Sequence, residues 1–196
     1  MNTAPLPPPY LGRQLDVDHD PHAPVDRVTH VWSRLAILQI GARMLDAARK
    51  QEQPVGFVLV AVDPSLSIRS MYGAAMADAV LGEVSRRVRK AMTSTDAIGR
   101  YGREELLVVL PGCAQEVIAT MADRILRAAK ADPVVACGIA VNVTVAIGAT
   151  IADTSAAQLD EAVIAADVAL HRAKLAGCDR VEMRWPTASA RLLITS

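Results

Sequence analysis

The chain has 196 residues, of which 52% are hydrophobic, 21% charged and only 3% aromatic. That length suits one ordinary domain with short extensions, whose core must be built from Val, Leu, Ile, Ala and Met. Lys plus Arg equals Asp plus Glu at 21 each, so there is no basic excess for a nucleic-acid backbone, and that class of partner is set aside. Cys113, Cys137 and Cys178 are far apart and form no CxxC pair. Neither a zinc site nor a disulfide framework is indicated, and reduced thiols fit a cytosolic protein. The longest apolar runs, such as Val55 to Val62, are too short to span a bilayer. No basic region followed by an apolar stretch marks a signal peptide. A cytoplasmic location without a membrane span is expected.

Residues 1–25 read as a flexible tail: Leu6-Pro7-Pro8-Pro9-Tyr10 favours polyproline II, and Asp16 to Pro24 has no apolar period. Asp16, Asp18, His19, Asp20 and His22 have metal-binding side chains, but ordering such a stretch costs more than a few weak ligands return. From Asp26 to about Gln51, Val28, Val31, Trp32, Leu35, Leu38 and Leu45 mark a helical stripe. Val55 to Val62 follows Pro54 as a continuous apolar run, the mark of a strand buried on both faces. Val80, Val84, Val88 and Met92 recur every fourth residue, so Ala75 to Met92 is an amphipathic helix with a basic outer face. No aromatic interleaves that basic run, which reads as a solvated face.

Two strand-like runs come next, Ala97 to Tyr101 and Leu106 to Leu110, with four residues between them that begin at Gly102. This is a β-hairpin, closed by Pro111-Gly112. A helix over Ala114 to Ala131 presents Val117, Met121, Ile125 and Ala129 on one face, and Val141 to Ile151 reads as a β-branched strand. Thr154 or Ser155 is expected to cap a last helix with Asp160 and Glu161 in its first turn. That helix buries Leu159, Val163, Ala166, Leu170 and Ala173 and ends at Gly177. Arg180 to Arg184 forms a final strand, and 186–196 is a C-terminal tail. The order predicts an α+β sandwich over residues 26–185, a central, mostly antiparallel sheet flanked by helices.

Four segments resemble one family in order and spacing. Asp26 to Arg34 is similar to DxLTGLxNR and keeps the Asp, the Thr and the Arg; Val58 to Leu81 resembles DxDxFKxxND followed by GHxxGD. Arg100-Tyr101-Gly102-Arg103-Glu104-Glu105-Leu106 resembles RYGG(D/E)EF, and Val143 to Gly148 with Ala166 to Lys174 resembles VTxSIG and ADxALYxAK. Together they resemble the GGDEF, or diguanylate-cyclase, domain of bacteria. The resemblance implies a nucleotide-cyclase palm with a ferredoxin-like core. It also implies that two GTP-loaded domains join their nucleotides into cyclic di-GMP, with magnesium bridging the phosphates.

Carried over residue by residue, the resemblance assigns Glu104 and Glu105 to the catalytic signature turn, with Gly102 and Arg103 beside them. It assigns Asp78, Arg69, Arg103 and Lys174 to nucleotide binding, and Glu104 with Asp63 to the metal. The family's first-strand metal carboxylate falls on Ala61, and methyl cannot ligate magnesium. The Asn that meets guanine falls on Arg69, a donor-only side chain. The Phe-Lys pair has become Ser65-Leu66, the His after Gly73 is Ala74, and the Gly before Asp78 is Ala77. The second glycine of the turn is Arg103, whose Cβ obstructs close approach of phosphate but whose guanidinium can reach an anion. The phosphate-side Arg falls on Cys178, and the product-inhibition RxxD reads Thr93-Ser94-Thr95-Asp96, without its Arg.

Each of these residues also has a plain structural reading. Glu104 and Glu105 suit a solvated turn, Asp63 a turn cap, and Asp78 and Lys174 the two ends of helix dipoles. Asp26 and Arg34 would then form an ion pair. The expectation is a degenerate GGDEF domain serving as a non-catalytic regulatory or protein-interaction module in cyclic di-GMP signalling. With no sensor or phosphodiesterase segment beside it, it would act by docking to a protein partner. Two alternatives stay open: a diguanylate cyclase of full or weak activity, and a sensor of GTP without turnover. Magnesium would enter only with bound nucleotide, and a homodimer follows from analogy alone.

Overall fold

The computed structural model describes residues 23–63, 68–152 and 158–185. Both predicted tails therefore fall largely outside the described residues, as do Thr154 and Ser155. In chain order the elements are α1 (Arg34–Lys50), β1 (Val55–Val62), α2 (Ile68–Lys90), β2 (Ala97–Arg100), β3 (Glu105–Pro111) and α3 (Gln115–Ala129), then β4 (Val134–Ala136), β5 (Ile139–Val141), β6 (Val145–Ala152), α4 (Leu159–Leu175) and β7 (Arg180–Arg184). The main sheet runs β2-β3-β1-β6-β7. Every pairing in it is antiparallel except β6 with β7. Its first four strands, with α2 and α3 as connections, form the βαββαβ ferredoxin-like core, and the predicted α+β class is observed.

The apolar run of β1 is buried at every position because helices cover both faces of the sheet. Strand alternation sorts its side chains. Val58, Val60 and Val62 pack with the α2 and α3 residues Val80, Val84 and Ile118, whereas Phe57, Leu59 and Ala61 pack with the α1 and α4 residues Ile37, Ala166 and Leu170. Removing these two apolar layers from water supplies the main drive to fold.

Several expected details are corrected. The first helix begins at Arg34 because Ser33 is its N-cap. Ahead of it, Asp26 Oδ1 accepts from the backbone N–H of Val28 at 3.1 Å and of Thr29 at 2.9 Å, capping a single turn that ends at His30, where φ is 54°. The buried face of α1 is Ile37, Gly41, Leu45 and Ala48, and Leu35 points outward. Likewise α3 buries Ile118 and Ala122 and exposes Val117. The stretch expected as one strand from Val141 divides into β5 and β6, and β4 with β5 forms an unpredicted small hairpin. The described N-terminal cap of α4 is Gln158, whose N–H meets the Glu161 carboxylate at 3.3 Å.

The basic face of α2 has structural partners. Arg87 is 10% exposed, and its Nη1 donates to the carbonyl of Ala129 at 3.2 Å, at the end of α3. Its Nε meets Glu83 at 2.8 Å. The hydrogen bond from Arg86, working against burial and joined by Arg87, holds the Glu83 carboxyl down at about 2, below its ordinary 4.5. A depressed folded-state pKa contributes stability above the unfolded value, and that contribution is lost as pH falls. Urea midpoints should therefore fall more steeply for the wild type than for Glu83→Gln between pH of about 4.5 and 2. Parallel curves across that window would contradict the assignment.

Candidate functional site

The site lies where β1 ends, α2 begins, the β2–β3 hairpin turns and α4 finishes. Ala61 is the register partner of Glu105 across the β1–β3 ladder. The backbone N–H of Val62 donates to the Glu104 carbonyl at 3.0 Å, seating the turn against the end of β1. Because adjacent strand residues point to opposite faces, the two acids of the turn diverge. Glu105 faces α4, where Lys174 Nζ donates to its Oε1 at 2.8 Å. Glu104 faces α2, where its Oε1 lies 3.6 Å from Arg69 Nε.

Arg69 also donates through Nη2 to Asp78 Oδ1 at 3.0 Å. Arg69, Glu104, Asp63, Val62, Ala77 and Leu81 are among the residues that line a cavity of about 310 Å³. The structure thus brings Arg69, Asp78 and Glu104 together on one side of β1, and Lys174 with Glu105 on the other. Arg103 is exposed, and its backbone carbonyl accepts from Arg100 Nη2 at 2.8 Å. Asp63 is 8% exposed; its Oδ2 accepts from Thr144 Oγ1 at 2.8 Å and its N–H donates to the Thr144 carbonyl at 3.0 Å. Burial first, and then the Asp63 carboxylate that it bonds, push the Cys178 thiol up. Asp96 accepts from the Thr93 N–H at 2.7 Å and closes the turn before β2.

The sequence did not single out Arg100 beyond its place in the motif. Its Nη1 pairs with Asp26 Oδ2 at 3.2 Å and its Nε donates to the Gly102 carbonyl at 3.2 Å, so one side chain anchors the signature turn to the segment before α1. Arg34 does not take the Asp26 partner expected for it; its guanidinium lies 4.7 Å over the Tyr101 ring. Burial raises the Asp26 carboxyl, but the donors on Thr29 and Arg100 outweigh it and hold that pKa below the ordinary value.

These donors do not fit a two-magnesium clamp. Ala61 is 1% exposed and offers methyl, Glu104 and Glu105 each face a cation, and Asp63 is turned to Thr144 and Cys178. Among the described residues no three His, Cys, Asp or Glu side chains converge as a metal-holding group.

Residues 23–180 match the sequence model of the family described as "Diguanylate cyclase, GGDEF domain". The chain belongs to the GGDEF family. It is 26% identical over 139 residues to Diguanylate cyclase A of Treponema denticola, covering 71% of this chain and 38% of that protein. Identity is 31% over 170 residues to Diguanylate cyclase DgcP of Pseudomonas aeruginosa, covering 85% of this chain and 25% of that one. The chain thus spans well under half the length of these curated GGDEF relatives. Among solved structures, the diguanylate cyclase SiaD of Pseudomonas aeruginosa in complex with its activator SiaC superposes with a TM-score of 0.77 at 24% identity, over 82% of this chain and 62% of that one. The GGDEF domain of DgcB from Caulobacter crescentus, in complex with c-di-GMP, gives 0.77 at 21%, over 85% and 98%. These likenesses establish the GGDEF fold; the family match sets the domain in cyclic di-GMP signalling. No helix among the described residues is long and apolar enough to cross a membrane.

Proposed function

We propose that this GGDEF domain is a non-catalytic regulatory module that works through protein interaction in cyclic di-GMP signalling. The observation that carries this reading is Ala61, a buried methyl set opposite Glu105 where a metal carboxylate would stand. Phosphoryl transfer depends on charge stabilisation by positioned cations and their ligands, so a missing ligand removes a large part of the rate. The remaining charges support the same reading, because Lys174 is engaged by Glu105 and Arg69 by Asp78. A magnesium–nucleotide complex would have to break both pairs. That SiaD is seen with an activator protein gives docking a precedent on this fold. Incubated with GTP and magnesium, the purified protein is expected to yield no cyclic di-GMP above a protein-free control by chromatography. Product that disappears in Glu104→Ala would overturn the reading.

The cavity beside Arg69 favours a second reading, nucleotide sensing without turnover. A ligand held at a hundred times its Kd stabilises by about 2.7 kcal/mol. A GTP-dependent rise in melting temperature without product would therefore select this reading.

A further inference from the structure

Helix α4 carries two apolar faces. The inward one is built mainly of alanine, with Ala162, Ala166 and Ala173 buried against the sheet. Larger apolar side chains stand on the outward one: Ile164 is 63% exposed and Leu175 75%. Val168, half-buried, and His171, exposed, complete a row between them. Steps of four, three and four residues separate these positions, the heptad spacing by which one helix packs along another. Exposed apolar side chains scattered singly need no explanation, whereas a row of them marks a contact surface. Charge on the same face is divided along the helix. Asp160, Glu161 and Asp167 are exposed in its first part, and Arg172 near its end. The helix dipole accounts for the acids of the first turn, but not for the apolar row beside them.

We propose that the outward face of α4 is an interface with a second copy of this chain, in which the two helices pack antiparallel about a two-fold axis. That arrangement sets Ile164 of each copy against Leu175 of the other, and Val168 against His171, so the row is complementary to itself. It brings Asp167 of each copy beside the last turns of the other helix, where Arg172 stands, and it opposes the two helix dipoles. A parallel pair would instead set Asp160 and Glu161 beside the same acids and His171 against His171, which like-charge repulsion disfavours. None of these residues lines the cavity beside Arg69. Self-association does not depend on whether the domain cyclises GTP, so it stands or falls apart from the proposed reading.

The test is sedimentation of the full 196-residue chain without nucleotide or magnesium, so that no bridging ligand contributes. The wild type is expected to pass from monomer to dimer as its concentration rises from about 1 to about 500 µM. A dissociation constant on the order of tens of micromolar is expected, since one helix pair is a small interface. Ile164→Glu and Leu175→Glu, both at exposed positions, should each weaken association about tenfold or more and leave the urea midpoint unchanged. Orientation is read by crosslinking with a short bismaleimide in a Cys137→Ser background, which removes the exposed thiol. Chains carrying Ile164→Cys should crosslink to chains carrying Leu175→Cys. Ile164→Cys alone should crosslink poorly, because its two thiols would stand about 16 Å apart along the helices. A wild type that stays monomeric over that range, association unchanged in both glutamate variants, or Ile164→Cys crosslinking to itself in preference to Leu175→Cys would overturn the proposal.

Discussion

Replacing Gly148 with alanine is expected to destabilise the domain by at least about 3 kcal/mol in urea unfolding, or to prevent folding. Helix α4 rests on β6 through this residue. A Cβ built there would sit 2.1 Å from the backbone N of Leu170, 2.3 Å from the carbonyl O of Ala166 and 2.6 Å from the Leu170 Cα. All three are helix backbone, so relief requires lifting α4 off the sheet rather than turning a side chain. The helix carries Lys174 at its far end, and the Lys174–Glu105 pair should be lost with it. Gly41 is the control. A Cβ there meets the Leu159 Cδ1 at 3.2 Å, the end of a flexible side chain, and alanine recovers about 1 kcal/mol of helix propensity. Gly41→Ala should stay within about 1 kcal/mol of the wild type. Equal behaviour of the two variants would contradict the backbone-contact account.

Arg100→Ala is expected to cost about 2–4 kcal/mol, because one substitution strips several half-buried groups of their cation. Asp26 would keep its bonds from Thr29 at 2.9 Å and 2.8 Å but lose the guanidinium at 3.2 Å. The carbonyls of Gly102 and Arg103 would lose their donors. A carboxylate left without its cation is the larger part of the cost, so Arg100→Ala combined with Asp26→Asn should be less destabilised than the sum of the two single changes. Amide exchange at Gly102 to Glu104 should speed up, since those bonds pin the turn. A loss below about 0.5 kcal/mol would mean that the pair is an ordinary surface contact.

Local pattern was enough for the elements whose signal is one of period. The unbroken apolar run of β1 and the fourfold spacing of Val80, Val84 and Val88 were both legible. Where the backbone turns between apolar residues, periodicity misleads. Val28, Val31 and Trp32 continue a helical stripe, yet the turn that Asp26 caps ends at His30, where φ is 54°, and Trp32 bridges to Gly99 instead. The β4–β5 hairpin escaped notice because its strands have three residues each and its turn is Cys137-Gly138. Both turn residues lie at positive φ, 51° and 75°, without the Asn-Gly or Asp-Gly signal that usually marks such turns.

The signature turn divides the same way. Sequence alone located Gly102 to Leu106 as a hairpin turn of the GGDEF kind and, through the family resemblance, set Ala61 in place of the metal carboxylate. It did not decide what each acid would meet. Lys174 lies 69 positions beyond Glu105, and Arg100 lies 74 beyond Asp26. Those partners are set by where α4 docks on β6 and where β2 meets the segment ahead of α1. Arg69 reaches Asp78 and Glu104 together only because α2 breaks at Gly73 and packs beside the end of β1. Period and composition act over a few residues, whereas the pairing of distant charges waits on how the helices close over the sheet.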